Sequence, residues 1–417
     1  MAEEGTRSAA DPLQQSYDET PYQDQSFPQF DVARLLGFAQ LFGLADPTRT
    51  CEGLRVLDLG CASGLHLRDQ ARRYPGTRFV GIDFAQSEID IGRKAIANDG
   101  LDNVELIAAD LRTVELEAEG HDLILCHGIF SWVPDDVKER ILLLCRQGLA
   151  PRGMAAIAYL TYPGWKQREA VRELLAMRDR PGRTPEERVR ESALMLRFLQ
   201  AGCAAADSDP HARSLKAVVE SMQQTSSNAF LHDELGEIHD PCYFMQFVEW
   251  AAECGLQYLT ETDLGSMTAE GLGASAGGLL AQLDADFLET QQLLDFVVNR
   301  SGRSSLMVRD DADPVRSIRI DALEALRFAT GWWNVTPLNA PVDAPGRFEN
   351  DLGRSLQVDE GTPRWLLSRL TADREVSVPF DVLSQEAGEQ GITCDELLST
   401  LAAFVVQGVV EPRAAAV

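Results

Sequence analysis

The chain has 417 residues, 45% of them hydrophobic and 25% charged, and a formal net charge of −27. That length calls for about two or three domains rather than one core. No apolar run reaches the roughly 18 residues that a membrane helix needs, and an acidic surface repels phosphate backbones, so neither a membrane span nor a nucleic-acid partner is expected. The same charge draws basic partners.

The opening stretch, MAEEGTRSAADP, has no basic start and no apolar core, so a secretory signal is not expected there. Tyr17, Tyr22, Phe27 and Phe30 then precede Val32, Leu35, Leu36, Ala39 and Phe42, which recur at helical spacing. Residues 1–50 read as a helical lid. Eight cysteines follow with no CxxC or CxxH spacing, and Cys61, Cys126, Cys145 and Cys254 fall inside apolar runs. Reduced thiols, no metal site and a cytoplasmic location are expected.

LRVLDL, from residue 54, is a short apolar run that reads as a buried strand. Gly60 and Gly64 bracket a tight turn, LHLRDQARRY continues as a helix, and TRFVGID is a second strand closing on Asp83. Strand, small-residue turn, helix, strand and acid open a doubly wound nucleotide fold. A dinucleotide fingerprint requires glycine at 60, 62 and 65, where this chain has Gly60, Ala62 and Leu65. The turn is therefore too crowded for a pyrophosphate, which argues against NAD or FAD. A carboxylate at Asp83 suits a pair of ribose hydroxyls. NVELIAAD places Asp110 at the end of a third strand, and HDLILCHGIFSWVP places His127 and Gly128 at the end of a fourth. After the helix PDDVKERILLLCRQGL comes a fifth strand, GMAAIAYLTY.

VLDLGCASG, FVGIDFA and IAADL resemble the first three motifs of the class I S-adenosylmethionine-dependent methyltransferases. The N-terminal aromatics, CHGIFSWVP, AYLTYPGW, and the stretch from LHDELGEIHDPCYF to LQYLTETDL narrow the likeness. Together they are similar to a bacterial family whose members carry a methyltransferase regulatory domain. Its characterised members include protein lysine methyltransferases that modify outer-membrane proteins of rickettsiae. The likeness covers roughly residues 16–310. It implies S-adenosyl-L-methionine as cofactor, with Gly60, Cys61, Ala62 and Gly64 under its methionine part and Asp58 near the methionine ammonium. Asp83 with Phe84 would hold the ribose, Asp110 with Leu111 the adenine, and His127 would also touch the cofactor. The chain departs from the family at Ala62, at Leu65-His66 and at Phe130, where many members have glycine, Gly-Asn and tyrosine.

The family's sheet needs two further strands. GLQYLTETDL and SSLMVRD supply them, with residues 166–240 as a helical insertion and 265–302 as a second one. From about 313 onward, PRWLLSRL, FDVLSQEAGEQG and CDELLSTLAAFVVQGVVEP read as three short helices and a terminal hairpin. The expected fold is α/β: a doubly wound, seven-stranded Rossmann-like methyltransferase sheet with helical insertions and a C-terminal winged-helix-like module. The expected divisions are 1–50, 51–165, 166–312 and 313–417.

Methyl transfer from a sulfonium releases a neutral leaving group, so positioning outweighs acid catalysis. Aromatic faces suit the sulfonium charge. Phe130 and Trp132 are candidates for that wall, and Tyr17, Tyr22, Tyr162 and Trp165 for contact with the acceptor. His127 is the candidate for orientation or proton acceptance, and Asp18 for holding an incoming ammonium. His232, Asp233, Glu234, Glu237 and His239 read as a solvated helix start or as an entrance for a basic substrate. The expected reaction is transfer to lysine amines of a protein. A small-molecule or peptide methyltransferase is the alternative within enzymes, and a cofactor-sensing binding module without turnover is the alternative outside them.

Overall fold

A computed structural model describes residues 25–206, 208–269, 272–337, 345–351, 353–372 and 376–417. Tyr17, Asp18 and Tyr22 lie outside the described residues. The centre is a seven-stranded sheet in the order β3-β2-β1-β4-β5-β7-β6. Its strands are β1 (Arg55–Leu59), β2 (Arg78–Asp83), β3 (Val104–Ala108), β4 (His121–Cys126), β5 (Leu149–Leu160), β6 (Leu256–Glu261) and β7 (Gly302–Arg309). Only β7 runs against its neighbours. The first two expected crossovers are helices α2 (Leu65–Arg73) and α3 (Gln86–Asp99), and α4 (Asp135–Gly148) leads from β4 to β5.

Period-two alternation sorts the strand residues between two cores. Val56, Leu123 and Leu125 join the cluster that includes Leu67, Ile89 and Ile96. Leu57, Leu59 and Ile124 join the other, with Ile141, Leu144 and Phe247. Because strands buried on both faces need apolar residues at every position, β1 reads as a continuous run rather than an alternation.

Helices α5 (Lys166–Arg178), α6 (Pro185–Ala205), α7 (Pro210–Gln223) and α8 (Ser227–Asp233) form the first insertion. They have a small core of their own around Val171, Leu196, Val219 and Phe230. Helix α9 (Phe244–Glu253) then feeds β6, and α10 (Gly273–Gln282) and α11 (Phe287–Val298) precede β7. The last two strands of the sheet thus come from far along the chain, as the sequence predicts. No helix among the described residues is long and apolar enough to cross a membrane.

Two expectations change. The N-terminal helix, α1 (Val32–Leu41), is not an outer cover: every residue in it except Arg34 is buried. It lies beneath the C-terminal region, where the Ala414 amide donates to the Ala33 carbonyl at 2.8 Å. A side chain at Gly37 would meet the Pro412 carbonyl oxygen at 2.9 Å. An apolar residue on its remaining face, such as Phe38 or Leu41, is invisible as a core position until that partner is known.

The C-terminal region likewise does not stand apart. After α12 (Ile320–Leu323) come the short strands β8 (Arg327–Ala329), β9 (Trp332–Asn334), β10 (Gly346–Asn350) and β11 (Ser355–Val358). The three expected helices follow as α13 (Thr362–Thr371), α14 (Phe380–Glu389) and α15 (Cys394–Val406), with β12 (Val378–Pro379) and β13 (Glu411–Arg413). Phe328, Leu366 and Phe404 belong to the same buried cluster as Val56 and Phe38. The expected local hairpin at the end is absent: Val405 and Val406 finish α15, and β13 pairs with β8 instead.

Candidate active site

The cavity at the carboxyl ends of β1 to β4 has a volume of about 250 Å³. It sits where the strand order reverses, between β1 and β4, which is where open α/β sheets bind ligands. The loop after β1 makes its floor. Gly60 and Ala62 both have left-handed backbone, with φ of 78° and 47°. A side chain at Gly60 would press on Ile129 at 2.5 Å, closing the cavity wall. The Gly60 and Cys61 amides both donate to the Ile82 carbonyl, at 2.8 and 3.2 Å, so the loop is tied to the end of β2.

Asp83 completes that tie. Its Oδ2 accepts from the Ala62 amide and its Oδ1 from the Ala85 amide, each at 2.9 Å. Asp58 and Phe84 also line the cavity, with Asp110 and Leu111 across from them. Asp110 meets Arg112 at 3.3 Å, and Arg112 reaches Asp136 at 2.7 Å. Hydrogen bonding to Asp136, aided by the Asp110 charge, raises the Arg112 pKa against the cost of its burial.

Two histidines, His66 and His127, line the cavity. His66 Nδ1 accepts from the Phe27 amide at 3.2 Å, which places the proton on Nε2. That buried Nε2 has no hydrogen-bond partner among the described residues. His127 stacks on Phe27, with ring centroids 3.6 Å apart, and meets Phe30 edge-on at 5.3 Å. Burial lowers the pKa of each to about 4, with the neighbouring His66 adding to the effect on His127. Both rings are therefore neutral at neutral pH.

The other expected residues divide. Trp132 lines this cavity and the neighbouring one. Gly64 does not line it; it starts α2, and a side chain there would strike Leu106 at 2.8 Å. Phe130 is 1% exposed and packs against Phe247 at 5.4 Å, so it belongs to the core beneath the sheet tips and not to a sulfonium wall. Tyr162 also points elsewhere, with its hydroxyl on Glu169 and Lys166 Nζ 3.4 Å from its ring centre. Trp165 is buried behind Trp132, edge-on at 6.4 Å, and lines neither cavity.

His232 and Asp233 line the cavity, but Glu234 is not part of a solvated helix start. Its side chain is fully buried and is held by Arg168 Nε at 3.0 Å. Sequence reasoning missed Glu88, a 6%-exposed acid in the cavity wall, and the lining role of Phe27 and Ile129. Glu88 lies in the first turn of α3, directly after the Asp83 strand tip, and that placement was the available signal. His66 was visible only as a departure at the start of α2.

Residues 56–153 match the model of a methyltransferase domain, and residues 226–309 that of a predicted methyltransferase regulatory domain. An uncharacterized protein of Rickettsia prowazekii is 33% identical over 236 residues, which are 57% of this chain and 93% of that relative. A second protein of the same species is 30% identical over 335 residues, 80% of this chain. The match spans 59% of that longer relative's length. The structure of PKMT2 from Rickettsia typhi superposes with a TM-score of 0.79 at 26% identity, covering 94% of this chain and 77% of that one. The same protein in complex with AdoHcy gives 0.80.

Proposed function

Because this chain belongs to the S-adenosylmethionine-dependent methyltransferases that carry a methyltransferase regulatory domain, we propose that it methylates lysine side-chain amines of a protein acceptor. The observation that carries the reading is the cavity at the strand tips, ringed by Asp58, Asp83 and Asp110 and opening at Trp132. Its donors and acceptors fit S-adenosylmethionine. Asp83, fixed at the tip of β2 by the Ala62 and Ala85 amides, takes the two ribose hydroxyls. Asp110 caps the adenine amine beside Leu111. Asp58 faces the methionine ammonium, and the buried His66 Nε2–H supplies a donor for the carboxylate.

The bound cofactor supplies an activated methyl group, whose bond to sulfur breaks as the bond to nitrogen forms, the electron pair staying on sulfur. The protein's share is placement, worth on the order of 7–11 kcal/mol for ordering two reactants. Trp132 presents an aromatic face to positive charge. His127 orients and does not take the proton. Burial disfavours the charged form of its ring, which makes it a poor acceptor for a lysine proton. The acceptor therefore loses its proton by desolvation on entry, towards water. A formal charge of −27 favours the approach of a basic acceptor over a neutral one.

Incubation with methyl-labelled S-adenosylmethionine and a bacterial lysate, followed by hydrolysis to amino acids, tests the reading. Label in methylated lysine is expected. Label confined to small molecules, or to other amino acids, contradicts it.

A further inference from the structure

A second cavity, of about 350 Å³, adjoins the first and shares His127, Gly128, Ile129 and Trp132 with it. The sheet register gathers its remaining wall. Leu160 pairs with Gly302, Ala158 with Ser304 and Glu261 with Ser305, so β5, β7 and β6 end at one edge.

Two acid–arginine pairs stand in this wall, and they differ. Glu261 and Arg303 have side chains 4% and 1% exposed and meet at 2.6 Å. Glu261 also accepts from the Tyr258 hydroxyl at 3.0 Å and from Ser305 Oγ at 2.9 Å. Arg303 and Arg300 both hold Asp295, at 2.7 and 2.6 Å. Two acids and two arginines are thus matched and locked.

Asp263 and Arg354 are not locked. Asp263 Oδ1 accepts from the Gly265 amide at 3.1 Å, which fixes the carboxylate. Its Oδ2 faces Arg354 Nη1 at 3.5 Å, well beyond the 2.7–2.9 Å typical of charge-assisted hydrogen bonds. The two side chains are 38% and 52% exposed. Arg354 is anchored by its backbone, whose amide donates to Asn350 Oδ1 at 3.0 Å in the turn between β10 and β11. Arg354 lines the cavity from that turn, and an exposed pair at that distance is easily exchanged.

We propose that this second cavity is the methyl-acceptor site, that Asp263 selects an alkylammonium side chain there, and that Arg354 stands in for that cation until the acceptor displaces it. The inference rests on the reading of transfer to an amine. Counting the buried Asp295 that Arg300 and Arg303 hold behind the wall, three acids face three arginines while Arg354 is in place. With Arg354 displaced, one fixed carboxylate is left to meet a positive group. A side chain passing it arrives at His127 and Trp132, where the two cavities join.

The test is binding of N-acetyl-lysine methylamide to the full chain loaded with S-adenosylhomocysteine, followed by saturation-transfer NMR. The uncharged N-acetyl-norleucine methylamide serves as control. Asp263→Asn keeps the Oδ1 acceptor for the Gly265 amide and should weaken the lysine probe at least fivefold. Arg354→Ala, on an exposed turn, should tighten it at least threefold. Neither variant should change the norleucine probe or the affinity for S-adenosylhomocysteine. Equal binding of the two probes, no binding of the lysine probe, or indifference to both substitutions overturns the inference. Methyl-lysine found in the lysate experiment would still uphold the proposed function in that case. Conversely, the expected binding pattern without labelled lysine supports the cation site and contradicts lysine methylation.

Discussion

Ala62 holds a left-handed conformation, φ 47°, that costs an L-residue roughly 1–2 kcal/mol. Glycine relieves that cost but enlarges the unfolded ensemble by about 0.4–1 kcal/mol. Ala62→Gly should therefore raise the unfolding free energy by a few tenths to about 1 kcal/mol in urea titration; a clear destabilisation would contradict the strain. His66 gives a pH dependence with a definite sign. Its pKa falls from 6.5 unfolded to about 4 folded, so the stability it supports is fully present above pH 6.5 and is lost as pH falls towards 4. Between pH 7 and pH 5 the loss from this residue is on the order of 2 kcal/mol. His127, lowered to the same extent, adds its own loss over this window, so in His66→Gln the difference in unfolding free energy between the two pH values should shrink by about 2 kcal/mol without vanishing, as urea titration reads it. Asp58, Asp83 and Asp110 were legible because each lies at or within two residues of the carboxyl end of a strand, and strand ends in such a sheet face one cavity. Phe130 and Tyr162 were not. Their neighbours in the chain predict where the backbone goes but not which side of the tip the ring takes, and Phe247 and Glu169, distant or local, decided that.

Among the elements, β6 and β7 are joined by a buried charge cluster as well as by their ladder. Arg303 bonds Glu261 from β6 and Asp295 from α11, all with side chains at most 4% exposed. Removing the guanidinium takes the ion pair from Glu261, which keeps only neutral donors, and leaves Asp295 to Arg300 alone, a loss of about 3–5 kcal/mol for a single broken pair. Arg303→Met should lower stability by about that much in denaturant titration, and Glu261→Gln combined with it should recover part of the loss. Additive losses in the double variant would contradict the coupling. The strands themselves were readable, since apolar runs bounded by glycine and charge need no partner to be recognised. The sequence reads α1 as part of a lid over the cofactor cleft and does not show its second buried face, because that burial depends on β13, some 370 residues later, and amphipathic spacing shows only one face.

At the scale of the molecule, one apolar cluster runs from Val56 through Phe38 to Phe328 and Phe404. The C-terminal hundred residues are therefore structural for the catalytic sheet. Removing residues 313–417 should abolish cooperative thermal unfolding and cofactor binding together; a truncated chain with a sharp transition and intact binding would show an independent domain. The sequence reads as a separate module because three short helices and a terminal run make a recognisable unit, yet a local pattern carries no information on which faces meet. Everything functional depends on the donor cavity, and titration calorimetry of S-adenosylhomocysteine into wild-type and Asp83→Ala protein tests it most directly. Losing charge-assisted hydrogen bonds to ribose at about 1.5–3 kcal/mol each predicts at least a roughly tenfold weaker affinity for the variant. Equal affinity of the two proteins would place the nucleoside somewhere other than the tip of β2.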